Sequence, residues 1–393
     1  MKNNRYSFLM ALSAFMLIST AAMAQAFVTA PPAPRNGEAR PAFRFPPRII
    51  SPEVHADQTV TFRFMAADAT TVELSGQFLK KNIPLTKGED GVWSVTTGKV
   101  KPDIYPYNFV VDGISVADPN NVDIFPNERF KGSLLDVKGK TPSVQDLQAV
   151  PHGKITYSFY HSKNLGLERP MLVYTPPGYT EDTGKSYPVL YLIHGMTDTH
   201  ETWYVVGRMN YILDNLIAQG KAEPMIVVMP YANPYPALMK KNPQTQMDLM
   251  STKLFTDELT KEIIPYIEGK YRVKASRENR AIAGFSLGGR QTLGAGLGHP
   301  ELFAYVCPMA PAVFGQGLDE SFQNDYAPID QLKTLKLLWI GCGKDDSLYA
   351  GAQALEKKLK KEGVKYEKLY SSGGHTWMNC RLYLATIAPK LFK

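Results

Sequence analysis

The chain has 393 residues, of which 44% are hydrophobic and 21% are charged, and this balance excludes a disordered or fibrous protein. Its length predicts two domains, because a single hydrophobic core stops growing beyond a few hundred residues. The net charge of +7 is spread along the chain without a basic arm or stripe, so we expect no nucleic-acid partner.

The first 24 residues have the pattern of a secretory signal peptide. Lys2 and Arg5 form a basic start, an apolar run follows over residues 8–22, and small residues stand at the two positions that a signal peptidase reads. A membrane anchor is the alternative, but the run is short for a span and a proline-rich stretch follows it. We therefore expect cleavage before Gln25, export to the periplasm or the medium, and no stable membrane anchor.

The next two regions are predicted to be a linker and a small all-β domain. Residues 25–47 are rich in Pro, Ala and Arg, which is typical of an extended linker. Residues 48–140 contain short segments of alternating hydrophobicity without helical stretches, a pattern that predicts a β-sandwich. The clearest of these segments are residues 59–64, 71–74, 92–95 and 105–113.

Four short motifs give the predicted sandwich a family resemblance: Leu74-Ser75-Gly76, Gly91-Val92-Trp93, Val111-Asp112-Gly113 and Asp118-Pro119. With these motifs the region resembles the immunoglobulin-like N-terminal module of glycogen-branching enzymes. The resemblance implies either a carbohydrate-binding module or a structural spacer that packs on a catalytic domain. Of the two, we expect the spacer.

A second linker, residues 141–153, precedes residues 154–393, which are predicted to form an α/β domain. Strands and helices alternate there, and the strands are nearly continuous apolar runs that suit a parallel sheet covered on both faces. The predicted strands are residues 155–160, 171–175, 189–193, 225–229, 280–283, 335–341 and 366–370. The predicted helices are residues 209–219, 254–270, 287–297 and 350–362.

The cysteines indicate neither a disulfide framework nor a metal site. There are three, Cys307, Cys342 and Cys380, so at least one stays unpaired in an exported protein. Apolar or small residues surround all three, which favours buried thiols; a bridge between Cys342 and Cys380 is the alternative. We expect neither a metal nor a cofactor.

A short motif at residues 284–289, Gly-Phe-Ser-Leu-Gly-Gly, matches the nucleophile elbow of α/β-hydrolases. In that elbow a serine stands on a sharp turn between a strand and a helix, and glycines keep its neighbours clear of the surrounding backbone. The motif alone is weak, but a predicted strand precedes it and a predicted helix follows. Ser286 is therefore the expected nucleophile.

The fold also predicts that an acid and then a histidine follow the serine along the chain. Only two histidines do so: His299 precedes a proline one helix after the serine, whereas His375 lies in a glycine-rich loop after the last predicted strand. We expect His375 to be the base. Asp345 and Asp346 both follow the predicted strand 335–341, and position alone leaves the acid open between them.

An oxyanion hole needs two backbone N–H groups that face the developing alkoxide. One is expected from Leu287, directly after the nucleophile. The other is expected from Met196, in the loop that follows the apolar strand 189–193, where Gly195 allows a close approach of the backbone. His194 is expected to be a buried structural histidine.

Taken together, the motifs of residues 154–393 resemble the esterase D-like group, which includes feruloyl and acetyl-xylan esterases of carbohydrate esterase family one, S-formylglutathione hydrolases and enterochelin esterases. Feruloyl esterases are the most similar of these. The resemblance implies Asp346 as the acid, His375 as the base, and Met196 and Leu287 as oxyanion donors. The motifs are Val173-Tyr174-Thr175-Pro176-Pro177-Gly178-Tyr179, Tyr191-Leu192-Ile193-His194-Gly195, residues 281–289, residues 341–346 and Gly373-Gly374-His375.

The sequence leaves the substrate open. Trp203 and Trp377 are candidates for the walls of an aromatic acyl pocket, or for core packing beside the site. The insertion at residues 231–250 is a candidate contact for the alcohol side of the substrate, or a surface loop. The expected substrates are feruloylated or acetylated xylan and its oligosaccharides. A siderophore or another small ester is the alternative, and an inactive carbohydrate-binding protein is disfavoured by the complete set of catalytic residue types.

Overall fold

The structure is a computed structural model that describes residues 48–245 and 251–393. The predicted signal peptide and the linker at residues 25–47 therefore lie outside the described residues. Residues 49–393 form one compact unit. Within the described ranges, we find no helix whose length and apolar character would let it cross a membrane.

Two antiparallel sheets form the N-terminal part of this unit. One sheet has the strand order β1-β2-β6-β5; the other has the order β4-β3-β7-β8, and β9 also pairs with β7. The strands are β1 (Glu53–Val54), β2 (Val60–Met65), β3 (Val72–Gly76), β4 (Ile83–Pro84), β5 (Thr86–Lys87), β6 (Val92–Thr96), β7 (Asp103–Val111), β8 (Ile114–Val116) and β9 (Ser133–Val137).

The two sheets pack face to face around a cluster of aromatic side chains. Phe62 on β2 contacts Tyr107 on β7 edge to face, with ring centroids 5.0 Å apart. Phe64 and Phe109 make a tilted ring contact one pleat further along, with centroids 4.8 Å apart. Because strand side chains alternate between faces, the period-two pattern of these strands places one aromatic row between the sheets. The predicted β-sandwich is thus observed, with its own hydrophobic core.

An eight-stranded sheet forms the rest of the unit, in the order β10-β11-β13-β12-β14-β15-β16-β17. The first two pairings along this order, of β10 with β11 and of β11 with β13, are antiparallel, and all later ones are parallel. The strands are β10 (Lys154–Ser162), β11 (Leu167–Thr175), β12 (Val189–Ile193), β13 (Ile226–Pro230), β14 (Arg280–Phe285), β15 (Tyr305–Met309), β16 (Leu337–Gly343) and β17 (Glu367–Ser371).

Ten α-helices in the described residues accompany the strands. They are α1 (Thr202–Val205), α2 (Met209–Ala218), α3 (Tyr235–Lys241), α4 (Lys253–Glu258), α5 (Ile264–Lys270), α6 (Leu287–Gly298), α7 (Gly315–Asn324), α8 (Ile329–Leu332), α9 (Tyr349–Lys361) and α10 (Trp377–Ile387). A π-helical turn, Leu259–Ile263, joins α4 to α5. The central strands are buried on both faces, so the predicted α/β-hydrolase fold is confirmed.

The helices α1, α3, α7 and α8 were not predicted, and three further elements differ from the sequence prediction for identifiable reasons. The strand β15 was not predicted, because Pro308 argues against a central strand; in the parallel sheet it lies opposite Gly284 of β14. The helix α10 was missed because it is apolar nearly all round, which hides the helical period. The predicted helix 254–270 is interrupted by the π-helical turn, which precedes Pro265, a residue without an N–H for the helical ladder.

The sandwich and the eight-stranded sheet are tied together by buried polar contacts. Arg381 on α10 is 2% exposed and donates to the carboxylate of Asp103 on β7 at 2.6 and 3.1 Å and to the carbonyl of Ile104 at 2.7 Å. The predicted linker 141–153 is also held, because Asn215 on α2 donates to two of its carbonyl groups at 2.8 Å. These contacts fix the sandwich against the eight-stranded sheet.

Candidate active site

Ser286 lies between β14 and α6 with φ 61° and ψ −118°, a backbone conformation that residues other than glycine rarely adopt. The flanking glycines make this turn possible. A Cβ on Gly284 would lie 2.4 Å from the carbonyl oxygen of Gly288, and one on Gly288 would lie 2.3 Å from the carbonyl oxygen of His194. The glycines of the sequence motif therefore have a steric cause in the structure.

Backbone hydrogen bonds hold this strained residue from three sides. The N–H of Ser286 donates to Met309 O at 2.9 Å, and its carbonyl accepts from the N–H groups of Arg290 at 3.1 Å and Ala312 at 3.0 Å. Strain persists only where the surroundings determine the conformation, and such sites cluster at functional centres.

His375 lies in the loop between β17 and α10, and its ring stacks on Phe285 with centroids 4.3 Å apart. Its Nδ1 donates to Oδ2 of Asp346 at 2.7 Å. The Asp346 side chain is 1% exposed, and its other oxygen accepts from the N–H of Leu348 at 2.8 Å. The carboxylate thus holds the imidazole by Nδ1 and leaves Nε2 for a reacting partner.

The neighbouring Asp345 has a different set of contacts. Its carboxylate accepts from the N–H of Gly373 at 3.1 Å, and its own N–H donates to the carbonyl of Gly373 at 3.0 Å. Asp345 thereby ties the histidine loop to the end of β16 without a hydrogen bond to the imidazole. The structure distinguishes two residues that position alone could not separate.

The loop Gly195–Asp198, which we call the oxyanion loop, follows β12 and packs against the serine. A Cβ on Gly195 would lie 3.4 Å from Cβ of Ser286, which is ordinary contact, and 3.1 Å from Oδ2 of Asp198, so a larger residue would press on the Asp198 carboxylate. Met196 is half exposed and borders the same cavity as Ser286. Leu287 begins α6, where N–H groups have no partner within the helix.

His194 is buried behind the oxyanion loop. Its Nδ1 donates to the carbonyl of Gly195 at 2.8 Å, and its Nε2 accepts from the N–H of Ala232 at 2.9 Å. Burial lowers the pKa of His194 to about 4, so the ring stays neutral near pH 7. The expected structural role of His194 agrees with these contacts.

A cavity of about 470 Å³ opens above Ser286 and His375. Both parts of the unit line it, which sequence reasoning did not predict because no local pattern shows where distant loops meet. The eight-stranded sheet, which with its helices and loops we call the catalytic sheet, contributes Gly195, Met196, Asp198, Phe285, Ser286, His375 and Trp377. The sandwich, including the loop between its strands β8 and β9, contributes Ser75, Gly76, Gln77, Pro106, Asn108, Phe125, Asn127 and Phe130.

The two tryptophans have different places. Trp377 borders the cavity, whereas Trp203 is 1% exposed and lies outside its lining. Trp203 donates its indole N–H to the carbonyl of Ile193 at 3.0 Å and supports Trp377 edge to face at 5.0 Å. Of the two interpretations given for Trp203, core packing beside the site is the one that these contacts fit.

The remaining predicted features lie away from the cavity. All three cysteines are buried free thiols, so the alternative of a bridge between Cys342 and Cys380 is not realised. Burial raises the pKa of Cys342 to about 12.

His299 directly follows the last residue of α6, away from the cavity. In the described residues, no group of three or more His, Cys, Asp and Glu side chains could hold a metal ion. Part of the insertion 231–250 forms α3, and residues 246–250 lie outside the description.

Comparison with known proteins places the chain in a family. Residues 162–391 match the family described as putative esterase. An endo-1,4-beta-xylanase/feruloyl esterase of Xylanibacter ruminicola is 32% identical over 352 residues, which are 87% of this chain and 46% of that protein. The chain thus spans about half the length of that relative.

Solved structures agree with the fold. A ferulic acid esterase is 28% identical with a TM-score of 0.53, over 61% of this chain and 98% of that one. The enterobactin esterase of Shigella flexneri, at 17% identity, shares the fold with a TM-score of 0.61 over 84% of this chain and 92% of its own. Because the family match takes in more than half of the chain, including Ser286, Asp346 and His375, this protein belongs to the putative esterase family.

Proposed function

We propose that this protein is a serine carboxylic-ester hydrolase that acts on plant cell-wall polysaccharide and releases ferulate from arabinoxylan. The observation that carries the proposal is a single cavity in which Ser286, on its strained turn, and His375, held by Asp346, are brought together. A serine nucleophile, a base and a buried acid that holds the base are the parts that acyl transfer requires.

The reaction proceeds in two steps. Ser286 Oγ attacks the ester carbonyl while Nε2 of His375 takes the hydroxyl proton of Ser286. The N–H groups of Met196 and Leu287 donate hydrogen bonds to the tetrahedral oxyanion. Collapse expels the sugar alkoxide, which receives the proton from His375, and leaves an acyl-enzyme. Water then attacks the acyl-enzyme with His375 again as the base, and the carboxylic acid leaves.

The cavity supports an aromatic acyl group. Phe125, Phe130, Phe285 and Trp377 border it, and an aryl ring gains free energy from edge-to-face and stacked contacts of this kind. The related Xylanibacter protein is a xylanase/feruloyl esterase, and a ferulic acid esterase is among the solved structures of similar fold. Acetate, the other candidate acyl group, is too small to contact these rings together.

Export fits this substrate, because polysaccharide lies outside the cell. We retain the signal peptide at residues 1–24, with cleavage before Gln25, as part of the proposal. The immunoglobulin-like identity of the sandwich belongs to the proposal as well. The siderophore-type alternative is supported by the similar fold of the enterobactin esterase. At 17% identity, however, a shared fold does not indicate a shared substrate.

The test is product analysis by liquid chromatography after incubation of the purified protein with feruloylated, acetylated arabinoxylan. Ser286→Ala is the matched control. Ferulate released by the parent and absent with Ser286→Ala supports the proposal. Acetate alone would make the protein an acetyl-xylan esterase. Cleavage of an aryl acetate without either product would contradict the polysaccharide assignment and favour a small ester.

A further inference from the structure

The segment Pro126–Phe130, which follows the sandwich strand β8, runs directly against the oxyanion loop. The N–H of Glu128 donates to the carbonyl of Thr197 at 2.7 Å, and Asn127 forms an antiparallel bridge with Asp198. Thr202, just beyond the loop, donates its hydroxyl to the carbonyl of Pro126 at 2.9 Å. The loop is therefore held along its length by a part of the chain about 70 residues earlier.

The side chain of Asn127 has a fixed orientation. Its Oδ1 accepts from the N–H groups of Arg129 and Phe130, both at 2.9 Å. With the oxygen used in this way, the amide nitrogen points at the oxyanion loop and donates to Oδ1 of Asp198 at 3.1 Å. The side chain is buried, so water cannot replace this bond at low cost.

The carboxylate of Asp198 links Asn127 to the backbone of Gly195, which lies beside Ser286. Oδ2 of Asp198 accepts from the N–H of Gly195 at 3.3 Å, and the N–H of Asp198 donates to the carbonyl of Gly195 at 3.2 Å. This carboxylate closes a turn in which Thr197 adopts φ 66°, a conformation that is unfavourable for a β-branched residue. The N–H of Met196, at the centre of the turn, has no hydrogen-bond partner among the residues that the structure describes.

A second contact braces the segment from the other side. Glu128 accepts from the hydroxyl of Tyr231 at 2.5 Å and from the amide of Asn233 at 2.9 and 3.1 Å. Both partners lie in the loop after β13, next to the N–H of Ala232 that binds His194. The segment is thus anchored on the catalytic sheet independently of Asn127.

We infer that Asn127 is a positioning residue for ester cleavage, which acts through Asp198 to hold the oxyanion loop with the N–H of Met196 directed into the cavity. The inference rests on the proposed ester hydrolysis and not on the identity of the acyl group. An oxyanion donor contributes in the transition state more than in the ground state, so its misplacement lowers kcat and leaves KM nearly unchanged.

The experiment compares Asn127→Ala with Asn121→Ala on an aryl acetate. Asn121 is a matched control because its amide likewise makes three hydrogen bonds, to Leu134 O, to Tyr107 and from the N–H of Asp123, without a contact to the oxyanion loop. We expect Asn127→Ala to lower kcat roughly 10- to 100-fold, toward the loss of one oxyanion donor, with KM changed less than about threefold. Asn121→Ala should keep kcat within about threefold of the parent.

A second readout separates positioning from general loss of structure. An arylboronic acid forms a tetrahedral adduct with Ser286 and mimics the oxyanion, so its affinity for Asn127→Ala should fall by about the same factor as kcat. Asp198→Asn, which keeps the size of the side chain and loses one acceptor, should show the same pattern. Unchanged kcat and boronate affinity in folded Asn127→Ala and Asp198→Asn would overturn the inference. A parent that cleaves the aryl acetate but not feruloyl esters contradicts the proposed substrate alone.

Three polar residues of the sandwich, Ser75, Gln77 and Asn108, form one wall of the cavity, which we call the polar wall. Ser75 and Asn108 are cross-strand partners on β3 and β7, and Gln77 directly follows β3. Gln77 is exposed, and its side chain makes no hydrogen bond to any residue within the described ranges.

We propose that this wall binds the sugar to which the acyl group is attached, given the proposed function. Amide side chains offer both donors and acceptors, which is what the hydroxyl groups of a pentose require, while the phenylalanine side chains that border the cavity offer neither. The NH₂ group of Asn108 already donates to Phe109 O and Ser115, so Gln77 is the amide of this wall whose side chain is available to the sugar. The sandwich would then contribute to substrate specificity as well as to packing.

The test compares kcat/KM for feruloylated arabinose and for methyl ferulate in the parent and in Gln77→Ala. We expect Gln77→Ala to lower the kcat/KM for feruloylated arabinose, relative to that for methyl ferulate, roughly three- to tenfold, because one hydrogen bond to the sugar is lost. Asn82→Ala, an exposed residue of the sandwich outside the cavity lining, should leave the ratio unchanged. An unchanged ratio in Gln77→Ala, or an equal loss on both esters, would overturn the sugar site. A parent inactive on both esters would instead remove the proposed function.

Discussion

Replacement of Asp346 by asparagine should abolish most of the activity without unfolding the protein. Oδ1 of an asparagine can still accept from the N–H of Leu348, but its NH₂ group would then face Nδ1 of His375. Because two donors cannot share that contact, Nδ1 must become the acceptor and Nε2 must carry the proton. A protonated Nε2 cannot take the proton of Ser286, so the base is lost by a change of tautomer.

The magnitude follows from the geometry of the ion pair that forms during the reaction. Unit charges 2.7 Å apart, the distance between Nδ1 and Oδ2, attract by about 6 kcal/mol at an effective dielectric constant of about 20. Part of this free energy is offset by the desolvation of the two groups, so we expect kcat to fall roughly 10³- to 10⁴-fold, or about 4–5.5 kcal/mol.

The assay is the hydrolysis of an aryl acetate, with Asp345→Asn as the matched control. Asp345 contacts only the backbone of the histidine loop through its side chain, so its variant should lose less than about tenfold in kcat. The reasoning is refuted if Asp346→Asn stays within tenfold of the parent, or if Asp345→Asn loses more activity than Asp346→Asn.

Three further predictions concern stability. Arg381→Ala removes a buried guanidinium and should cost about 3–5 kcal/mol of unfolding free energy in chemical denaturation, whereas Lys390→Ala, which breaks an exposed ion pair, should cost less than about 1 kcal/mol. Gly288→Ala should destabilise by at least about 1–3 kcal/mol and lower kcat, because its Cβ would lie 2.3 Å from a carbonyl oxygen, while Gly269→Ala, with open space around it, should do neither. Burial raises the pKa of Asp198 from 3.8 to about 7, so the folded state holds a proton that the unfolded chain releases; this stability is present below about pH 4 and is lost as the pH rises through 7. Asp198→Asn should therefore flatten the fall in unfolding free energy between about pH 4 and 7, by at most about 1.4 kcal/mol per pH unit, and parallel curves for variant and parent would contradict this.

The sequence was informative about the site where the chemistry is local. The turn at Ser286 depends on glycines two residues away on either side, and a Cβ added to either of them would lie within 2.4 Å of a carbonyl oxygen. His375 was reached through chain order and loop position, since the one other histidine that follows the serine, His299, lies at the end of a helix. The choice between Asp345 and Asp346 needed the structure, because both follow the same strand and their side chains differ only in direction.

The parts that stayed hidden are those in which residues distant in sequence meet. Asn127 lies 71 positions before Asp198, and no periodicity relates the two. Pro308 masked a central strand, because a parallel sheet can accommodate a proline that the general rule excludes. Trp203 and Trp377 were equivalent as aromatic residues near the site, and only their burial separates a core residue from a cavity wall.

These contacts bear on whether the sandwich is a separable spacer. A spacer would leave the catalytic site unchanged when removed, but here removal would leave the guanidinium of Arg381 and the carboxylate of Asp198 without their partners from Asp103 and Asn127. Each is at least nine-tenths buried in the complete unit, so removal of the sandwich would expose both groups to water and replace these fixed hydrogen bonds by solvent contacts that hold neither side chain in one geometry. The loss of Asn127 would also free the loop that carries the N–H of Met196. The sandwich is therefore better regarded as packed against the candidate active site than as an independent module, and we expect residues 154–393 alone to lose activity.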